Sequence, residues 1–236
     1  MADRSVGTVR ELRRYPVKSM AAESLQSVAV SWHGLAGDRR WAFVRPDMER
    51  SGFPWLTIRE KPDLWLHEPR FLDPADVEAS KTVVKTPAGV ELEVADPELA
   101  RSLGDGVRVI KQYGGVFDTF PLSLLTVQSV EGLSALAGEA LTPLRFRPNL
   151  VIDAAGAEPF PEDHWVGAVL RIGSLRFRVD VRDQRCVMVN VDPAGAAPNP
   201  AVLRSIARER DARFGVYGTI VQPGEVSVGD PVVIES

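Results

Sequence analysis

The residues most able to do chemistry in this sequence are few, and one of them, Cys186, is unique. The 236 residues include one cysteine and three histidines, His33, His67 and His164, which lie far apart. A single thiol excludes an internal disulfide and any zinc or iron–sulfur site made from several thiolates of this chain. The histidines do not match an HExxH spacing, so a zinc hydrolase is not indicated. A thiolate at Cys186 could still act as a nucleophile or bind a soft metal.

The surroundings of Cys186 favour a role for it without settling one. It lies in a polar interruption that follows an alternating segment, residues 175–181. We expect the strand to resume at Val187, where the chain becomes apolar again. Loops between regular elements often carry functional residues, and the nearby Arg182 and Arg185 would stabilise a thiolate. The alternative is a small core thiol that only packs, which the residues alone leave open.

Three short polar segments are set into apolar surroundings. They are residues 15–19 (Tyr-Pro-Val-Lys-Ser), 37–41 (Gly-Asp-Arg-Arg-Trp) and 146–149 (Phe-Arg-Pro-Asn). In the third, an extended backbone would project the arginine and the asparagine from the same side. Such side chains at loop–strand junctions suit a phosphate or a heterocycle with amide edges, although each segment could instead be a surface loop held by salt bridges. Motifs of the GxGxxG, GxxxxGK[ST] and GxSxG types are missing, which argues against Rossmann, P-loop and α/β-hydrolase sites.

Strands should position these segments, because alternation of apolar and polar residues recurs along the chain. Hairpin turns are predicted at residues 86–89 and 173–174, and a Gly-Asp-Pro corner at 229–231 should join two strands. Helices are few: one should begin at Asn199 and Pro200, one at Ser129, and one should cover residues 97–103. This balance predicts a mostly β protein, a barrel or an α+β fold.

Composition and charge narrow the class of protein. The sequence is 44% hydrophobic and 25% charged with a net charge of −4, as in ordinary globular proteins. The mild acidity argues against binding nucleic acid through net positive charge. The apolar runs fall short of the roughly 18 residues of a membrane helix, and the first residues lack a signal peptide core. We therefore expect no nucleic-acid partner, no membrane segment and a cytoplasmic protein.

In their order and spacing, the polar segments resemble those of the MOSC family, named for the C-terminal domain of molybdenum cofactor sulfurases. The resemblance covers nearly the whole chain. Its motifs are residues 15–19, 37–39 with Trp41, Asp118-Thr119, 146–150, Arg185-Cys186, Phe214-Gly215, Pro223-Gly224 and 228–232. It implies a mostly β fold with α+β elements, in which a β-barrel MOSC domain packs against an N-terminal β-barrel-like module. We expect the boundary in the polar segment 111–115, which gives domains 1–115 and 116–236.

Within that family the chain is most similar to the amidoxime-reducing branch, which reduces N-hydroxylated compounds. Those proteins bind a molybdopterin whose metal takes a thiolate from one cysteine, and the resemblance places this catalytic metal ligand at Cys186. The cofactor contacts that it implies are Lys18, Ser19, Arg39, Asp118, Thr119, Arg147, Asn149 and Arg185. The three that precede residue 40 are expected to line one cleft with Cys186. Two positions depart from the reductase pattern, Phe120 and Gln184, each where a serine is common, and they bear on substrate range.

The resemblance therefore implies a molybdenum-dependent enzyme that removes the hydroxyl oxygen from the N–OH group of a small substrate. Its electrons would come from a separate donor protein, either ferredoxin-like or a flavin reductase. The alternative is a carrier in which Cys186 holds a persulfide during cofactor maturation, and a third possibility is a ligand-binding barrel with an inert thiol. Because an aminotransferase-like domain is not recognised in these residues, pyridoxal phosphate is not expected here.

Overall fold

The computed structural model describes residues 3–48, 51–195 and 197–235. In these ranges the chain forms sixteen strands, three α-helices and four short 3₁₀ turns. The strands in chain order are β1 (Arg4–Arg14), β2 (Glu23–Leu25), β3 (Ser27–Ser31), β4 (Gly34–Leu35), β5 (Trp41–Val44), β6 (Glu68–Phe71), β7 (Thr82–Lys85), β8 (Glu91–Glu93), β9 (Arg108–Lys111), β10 (Leu122–Thr126), β11 (Leu150–Ala154), β12 (Val169–Ile172), β13 (Leu175–Gln184), β14 (Arg213–Gln222), β15 (Gly224–Ser227) and β16 (Pro231–Ile234). The helices are α1 (Pro97–Leu103), α2 (Val127–Ala137) and α3 (Pro200–Arg210), and the 3₁₀ turns are Pro62–Leu66, Pro143–Phe146, Pro161–Trp165 and Val187–Asn190.

The chain folds into two compact units that do not follow its two halves. The larger unit contains the residues up to Arg13, Ser24–Ala36 and the residues from Thr119 onward, and the smaller contains Arg14–Glu23 and Gly37–Asp118. The boundary predicted between residues 115 and 116 stays a prediction. The residues up to Arg13 and Ser24–Ala36 come early in the chain but belong to the larger unit, because β1 and β3 pair with strands from the second half of the chain.

Seven strands of the larger unit close into a barrel, which confirms the mostly β fold class. The order is β11-β10-β14-β13-β12-β16-β1, and β1 returns to pair with β11. The β10–β11 pair is parallel and the other barrel pairs are antiparallel. Closure pairs the backbone groups that an open sheet would leave at its edges. The short β2 pairs with β1 as the eighth strand of this sheet, and β15, β3 and β4 form a separate three-stranded sheet.

The barrel is filled by alternate residues of its strands, as the sequence pattern predicts. On β13, Leu175, Phe177 and Val179 are buried in the interior, and each such side chain contributes about 1.5–3 kcal/mol. A second apolar cluster lies on the outer face, where α2 and α3 cover the strands. Strand β10 contributes to both, because Leu124 packs inside the barrel and Leu125 packs in the outer cluster.

Two of the three predicted helices begin as expected, and one begins earlier. Helix α1 matches its predicted span, and α3 follows Asn199, whose side chain accepts a hydrogen bond from the Ala201 amide at 2.9 Å. Helix α2 does not open at Ser129, because the Thr126 hydroxyl accepts from the Ser129 amide and so caps a helix that starts at Val127. The longest helices have eleven residues, and in the described ranges none is long and apolar enough to span a membrane.

The smaller unit is built from short antiparallel pairs. Strand β5 pairs with β9, and β6, β7 and β8 form a three-stranded sheet followed by α1. The β7–β8 hairpin turns at residues 86–89, as predicted. The segment before this unit's strands, Arg14–Glu23, is joined to β5 through a bridge between Val17 and Trp41.

Candidate functional site

Cys186 lies two residues after the end of β13. It is half-buried and forms no disulfide, and its carbonyl accepts a hydrogen bond from the Val189 amide at 3.2 Å. The prediction that a strand resumes after it is wrong, because Val187–Asn190 is a 3₁₀ turn. The last β13–β14 pair joins Gln184 to Arg213, where β14 begins, so the chain beyond Gln184 has run past its partner strand.

The two arginines before Cys186 are both paired with carboxylates. The Arg182 Nε lies 3.1 Å from the Asp163 carboxylate, and the Arg185 Nη1 lies 2.8 Å from the Asp183 carboxylate. Asp183 therefore balances the charge of Arg185, whereas Arg182 shares the Asp163 carboxylate with Arg210. The stabilisation of a Cys186 thiolate by these arginines stays a prediction.

Arg147 occupies a left-handed backbone position at the end of the 3₁₀ turn Pro143–Phe146, with φ of 56°. The prediction that it lies in one extended segment with Asn149 is therefore wrong. The following residue, Pro148, disfavours a right-handed helical backbone at Arg147, which ends the turn there. A non-glycine residue in the left-handed region costs about 1–2 kcal/mol.

Asn149 is buried, at 1% exposure, and its carboxamide is used inside the larger unit. Its Oδ1 accepts from the amide and the hydroxyl of Ser123, at 3.2 and 3.1 Å, and its Nδ2 donates to the Arg13 carbonyl at 3.2 Å. The side chain thereby ties the start of β11 to β10 and β1. These contacts give Asn149 a structural role beside the predicted cofactor contact.

Thr119 and Phe120 precede β10, and Thr119 is exposed. The Phe120 ring lies 6.3 Å from the Tyr217 ring, at an interplanar angle of 40°. Phe120, one of the two departures from the reductase pattern, therefore packs near another aromatic residue of the larger unit.

In the smaller unit, the structure brings Lys18 and Asp118 together. The Lys18 ammonium pairs with the Asp118 carboxylate, donates to the Val116 carbonyl at 3.3 Å and lies 5.7 Å from the Phe53 ring. Lys18 is 6% exposed, whereas the Asp118 side chain is 44% exposed. The neighbouring Ser19 is also buried and has a left-handed backbone, with φ of 68°.

Arg39, in the same unit, is held between aromatic rings. Its guanidinium lies 4.8 Å from the Tyr15 ring and 5.5 Å from the Phe117 ring, and it pairs with the buried Asp38. Asp38 in turn accepts from the Tyr15 amide at 2.7 Å. Gly37 is required here, since a Cβ at this residue would lie 2.8 Å from the Phe71 ring and its φ is 80°.

Left-handed backbone is concentrated at the predicted contact residues. Six non-glycine residues in the described ranges have positive φ, and three of them are Ser19, Arg39 and Arg147. Strained backbone persists where surrounding structure enforces it, and it clusters at functional sites. The expectation that Lys18, Ser19 and Arg39 line one cleft with Cys186 stays a prediction.

The sequence reasoning missed three polar residues that support the predicted ones: Arg145, Asp183 and Ser123. Arg145 is 7% exposed and Asp183 is 3% exposed. A signal was available for Asp183 alone, because it lies in the polar interruption before Cys186, whereas Arg145 and Ser123 lie outside the segments predicted to be functional. Which way such a side chain turns depends on tertiary packing, which the sequence pattern does not encode.

A buried carboxyl, Glu162, lies at the start of α2. Its side chain accepts from the hydroxyls of Thr126 and Ser129 at 2.7 and 2.6 Å. Burial raises the pKa of Glu162 above its usual value, although these hydrogen bonds and that from its own backbone oppose the rise. This carboxyl fixes the turn Pro161–Trp165 to the first turn of the helix.

The described residues contain no cluster of three or more histidine, cysteine, aspartate or glutamate side chains that could hold a metal ion.

Two family models together match nearly the entire chain. Residues 6–109 match the MOSC N-terminal beta barrel domain and residues 111–233 match the MOSC domain. The chain belongs to the MOSC family.

Relatives of this MOSC protein include two named groups. A molybdenum cofactor sulfurase of Drosophila mojavensis is 28% identical over 276 residues, covering 95% of this chain and 34% of the relative. The human mitochondrial amidoxime-reducing component 1 is 24% identical over 290 residues, covering 97% of this chain and 83% of the relative. The chain thus spans about a third of the length of the sulfurases it matches.

Among solved structures, the YUAD protein of Bacillus subtilis is similar over 100% of this chain and 98% of its own, with a TM-score of 0.56. At 11% sequence identity this similarity shows the fold alone.

Proposed function

We propose that this MOSC protein binds a molybdenum cofactor through the Cys186 thiolate and reduces small N-hydroxylated compounds with electrons from a separate protein. The observation that carries the proposal is the left-handed backbone at Ser19, Arg39 and Arg147, three residues that the motifs had already assigned to cofactor contact. The similarity to the human amidoxime-reducing component over 97% of the chain supports the choice of reaction.

The residues present suit such a cofactor. Cys186 is free of disulfide bonding and half-buried, and a thiolate is the soft donor that a molybdenum–dithiolene centre accepts. Lys18 and Arg39 are cations with little exposure, and a phosphate or a heterocycle edge suits both. Thr119 and Asp118 are exposed and offer a hydroxyl and a carboxylate as hydrogen-bonding groups.

When bound, the cofactor supplies the two-electron reduction that, with two protons, converts an N–OH group to N–H and water. The chain's own part is to bind and orient. Cys186 must lose its proton to become a ligand, so loading should release a proton. Arg147 and Lys18 would bind anionic groups. In this proposal a separate donor protein, either ferredoxin-like or a flavin reductase, supplies the electrons.

The central test is Cys186→Ala beside the wild type, both purified as the full chain from a host that makes molybdenum cofactor. We expect the wild type to contain molybdenum near one equivalent and to reduce an amidoxime with a chemical electron donor. The alanine variant should melt near the wild-type temperature and lose both properties. Full turnover with bound molybdenum in Cys186→Ala would overturn the ligand assignment.

A second test separates charge from geometry at Arg147. Arg147→Lys keeps the charge and loses the planar fork, so cofactor affinity should fall roughly ten- to a hundredfold, the equivalent of about 1.5–3 kcal/mol. The exposed Arg176, which pairs with Glu235, provides the matched Arg176→Lys control. The competing view pairs Arg147 with Asp153 and predicts unchanged occupancy.

A second candidate function is sulfur carriage by a Cys186 persulfide. The match to a molybdenum cofactor sulfurase over 95% of this chain favours it. Intact mass measurement on protein from a host without the cofactor pathway would reveal an added sulfur on the wild type and none on Cys186→Ala. Stoichiometric molybdenum that persists through turnover would favour the reductase instead.

A further inference from the structure

We propose that Arg145 and Arg185 form a reciprocal clamp that sets the segment carrying Arg147 against the segment carrying Cys186. Each arginine stands beside one of these two residues and bonds to the other's segment. Both are positioning residues. Their effect on the cofactor rests on the proposed function, whereas the clamp itself does not.

Arg185 immediately precedes Cys186 and extends to the segment of Arg147. Its Nη1 donates to the carbonyl of Phe146 at 2.8 Å, the residue directly before Arg147. Its Nε donates to the carbonyl of Phe214 at 2.7 Å, and the charge is balanced by Asp183. The guanidinium also lies 5.7 and 5.9 Å from the two phenylalanine rings.

Arg145 stands two residues before Arg147 and extends to the chain just after Cys186. Its Nη1 lies within 3.3–3.4 Å of the carbonyls of Val189, Asn190 and Val191, at the end of the 3₁₀ turn that begins after the cysteine. Its Nη2 donates to the Asp192 carboxylate at 3.2 Å. The last carbonyls of a helical turn otherwise have no partner within it, and a fork of N–H groups satisfies several at once.

The space for this clamp is reserved by a glycine. A Cβ at Gly215 would lie 3.2 Å from the Arg185 Nη2 and 3.0 Å from the Leu124 carbonyl, and the φ of Gly215 is 72°. A larger residue would therefore push against the guanidinium. The motif Phe214-Gly215 thus supplies both an acceptor and the room for Arg185.

Because the contacts cross, Arg185 holds the segment that carries Arg147, and Arg145 holds the turn that follows Cys186. Arg145 and Arg185 have side-chain exposures of 6% and 9%, so their hydrogen bonds face little competition from water. A site is effective when its contact residues are locked in place by a supporting shell before the ligand arrives. Here the left-handed Arg147 and the turn after Cys186 are the two elements so locked.

The clamp is tested on the cofactor-free full chain by amide hydrogen exchange in Arg145→Met and Arg185→Met. Each variant should speed exchange in the segment opposite to its own. We expect about a tenfold increase at residues 187–191 for Arg145→Met and at residues 144–147 for Arg185→Met, equivalent to about 1.4 kcal/mol of local opening free energy. Ile172→Ala, in the barrel core, is the control for destabilisation without loss of the clamp. Unchanged exchange in the opposite segment would overturn the clamp.

The positioning role is tested on protein loaded in a cofactor-producing host. Both methionine variants should lose molybdenum about tenfold faster on dialysis than Ile172→Ala of matched melting temperature. Arg185→Lys should not restore retention, because one ammonium cannot reach Asp183 and two carbonyls as the guanidinium does. Retention equal to the control would refute the positioning role. A wild type without molybdenum would refute the proposed function instead, while the exchange experiment would still decide the clamp.

Discussion

Replacing Arg147 with glycine and with alanine separates its backbone from its side chain. Both variants remove the same guanidinium, so every contact of the side chain is lost equally. They differ in how well they accept the left-handed conformation observed at this residue, φ of 56°. Glycine accepts it freely, whereas alanine has the same steric conflict as arginine.

The expected difference is small and has a definite sign. Alanine in the left-handed region costs about 1–2 kcal/mol, and the greater freedom of glycine in the unfolded chain costs about 0.5–1 kcal/mol in the other direction. About 0.5–1 kcal/mol remains in favour of glycine. For a chain of 150–250 residues, each kcal/mol shifts the melting temperature by about 2–4 °C, so Arg147→Gly should melt about 1–4 °C above Arg147→Ala.

The assay is calorimetry of the two cofactor-free variants side by side, followed by molybdenum analysis of the same variants from a cofactor-producing host. Both variants should have equally low molybdenum, because neither has the guanidinium. Equal melting temperatures, or a higher one for alanine, would refute the left-handed backbone. Full occupancy in either variant would refute the cofactor contact.

Three further outcomes follow from features of the fold. Burial raises the pKa of Glu162, so the folded chain binds this proton more tightly than the unfolded chain, and the free energy of unfolding falls as pH rises above about 4.3 toward the folded pKa. Over that range the stability of Glu162→Gln in urea unfolding should rise relative to that of the wild type. A stability difference that does not change with pH would contradict this. Gly218→Ala places a Cβ 1.9 Å from the Arg178 carbonyl and should cost more than about 3 kcal/mol, unlike Gly52→Ala, which meets nothing within 4 Å; equal melting temperatures would show the spacing to be wrong. Asn199→Ala removes the cap of α3 and should cost about 1 kcal/mol in thermal unfolding, and no loss would mean that the cap is not formed in solution.

Local signals predicted most elements of the fold, and long-range pairing explains the rest. Alternation along β13 predicts its buried face because a strand's period acts over a few residues. The start of α2 was misplaced because Thr126 and Ser129 can both cap a helix, and only the folded chain shows that the Thr126 hydroxyl accepts from the Ser129 amide. Closure of the barrel rests on pairs such as Val9 with Ile152, which no local pattern encodes.

For the candidate site, the sequence indicated which residue types could bind an anion, but it did not show which groups their side chains contact or which backbone conformation they adopt. Arg185 was expected to contact cofactor, yet its Nε and Nη1 donate to carbonyls of the protein. Arg145 drew no attention because a buried guanidinium reads in sequence as an ordinary surface charge. Arg147 was expected in an extended segment, and only the three-dimensional turn shows its left-handed backbone.

The seam at which the barrel closes has a consequence for how the chain is made. Strand β1 pairs with β11 and with β16, so Arg4 meets Ile234 and Gly7 meets Ala154. A ribosome produces β1 first and its two partners much later, which gives the barrel a high contact order and slow folding. Until β11 and then β16 have been made, much of the hydrogen-bonding edges of the eleven-residue β1 stays open to pairing with other chains, because its early partner β2 has three residues. An edge of this strand is therefore open to such pairing until β16, the last of the described strands, has been made.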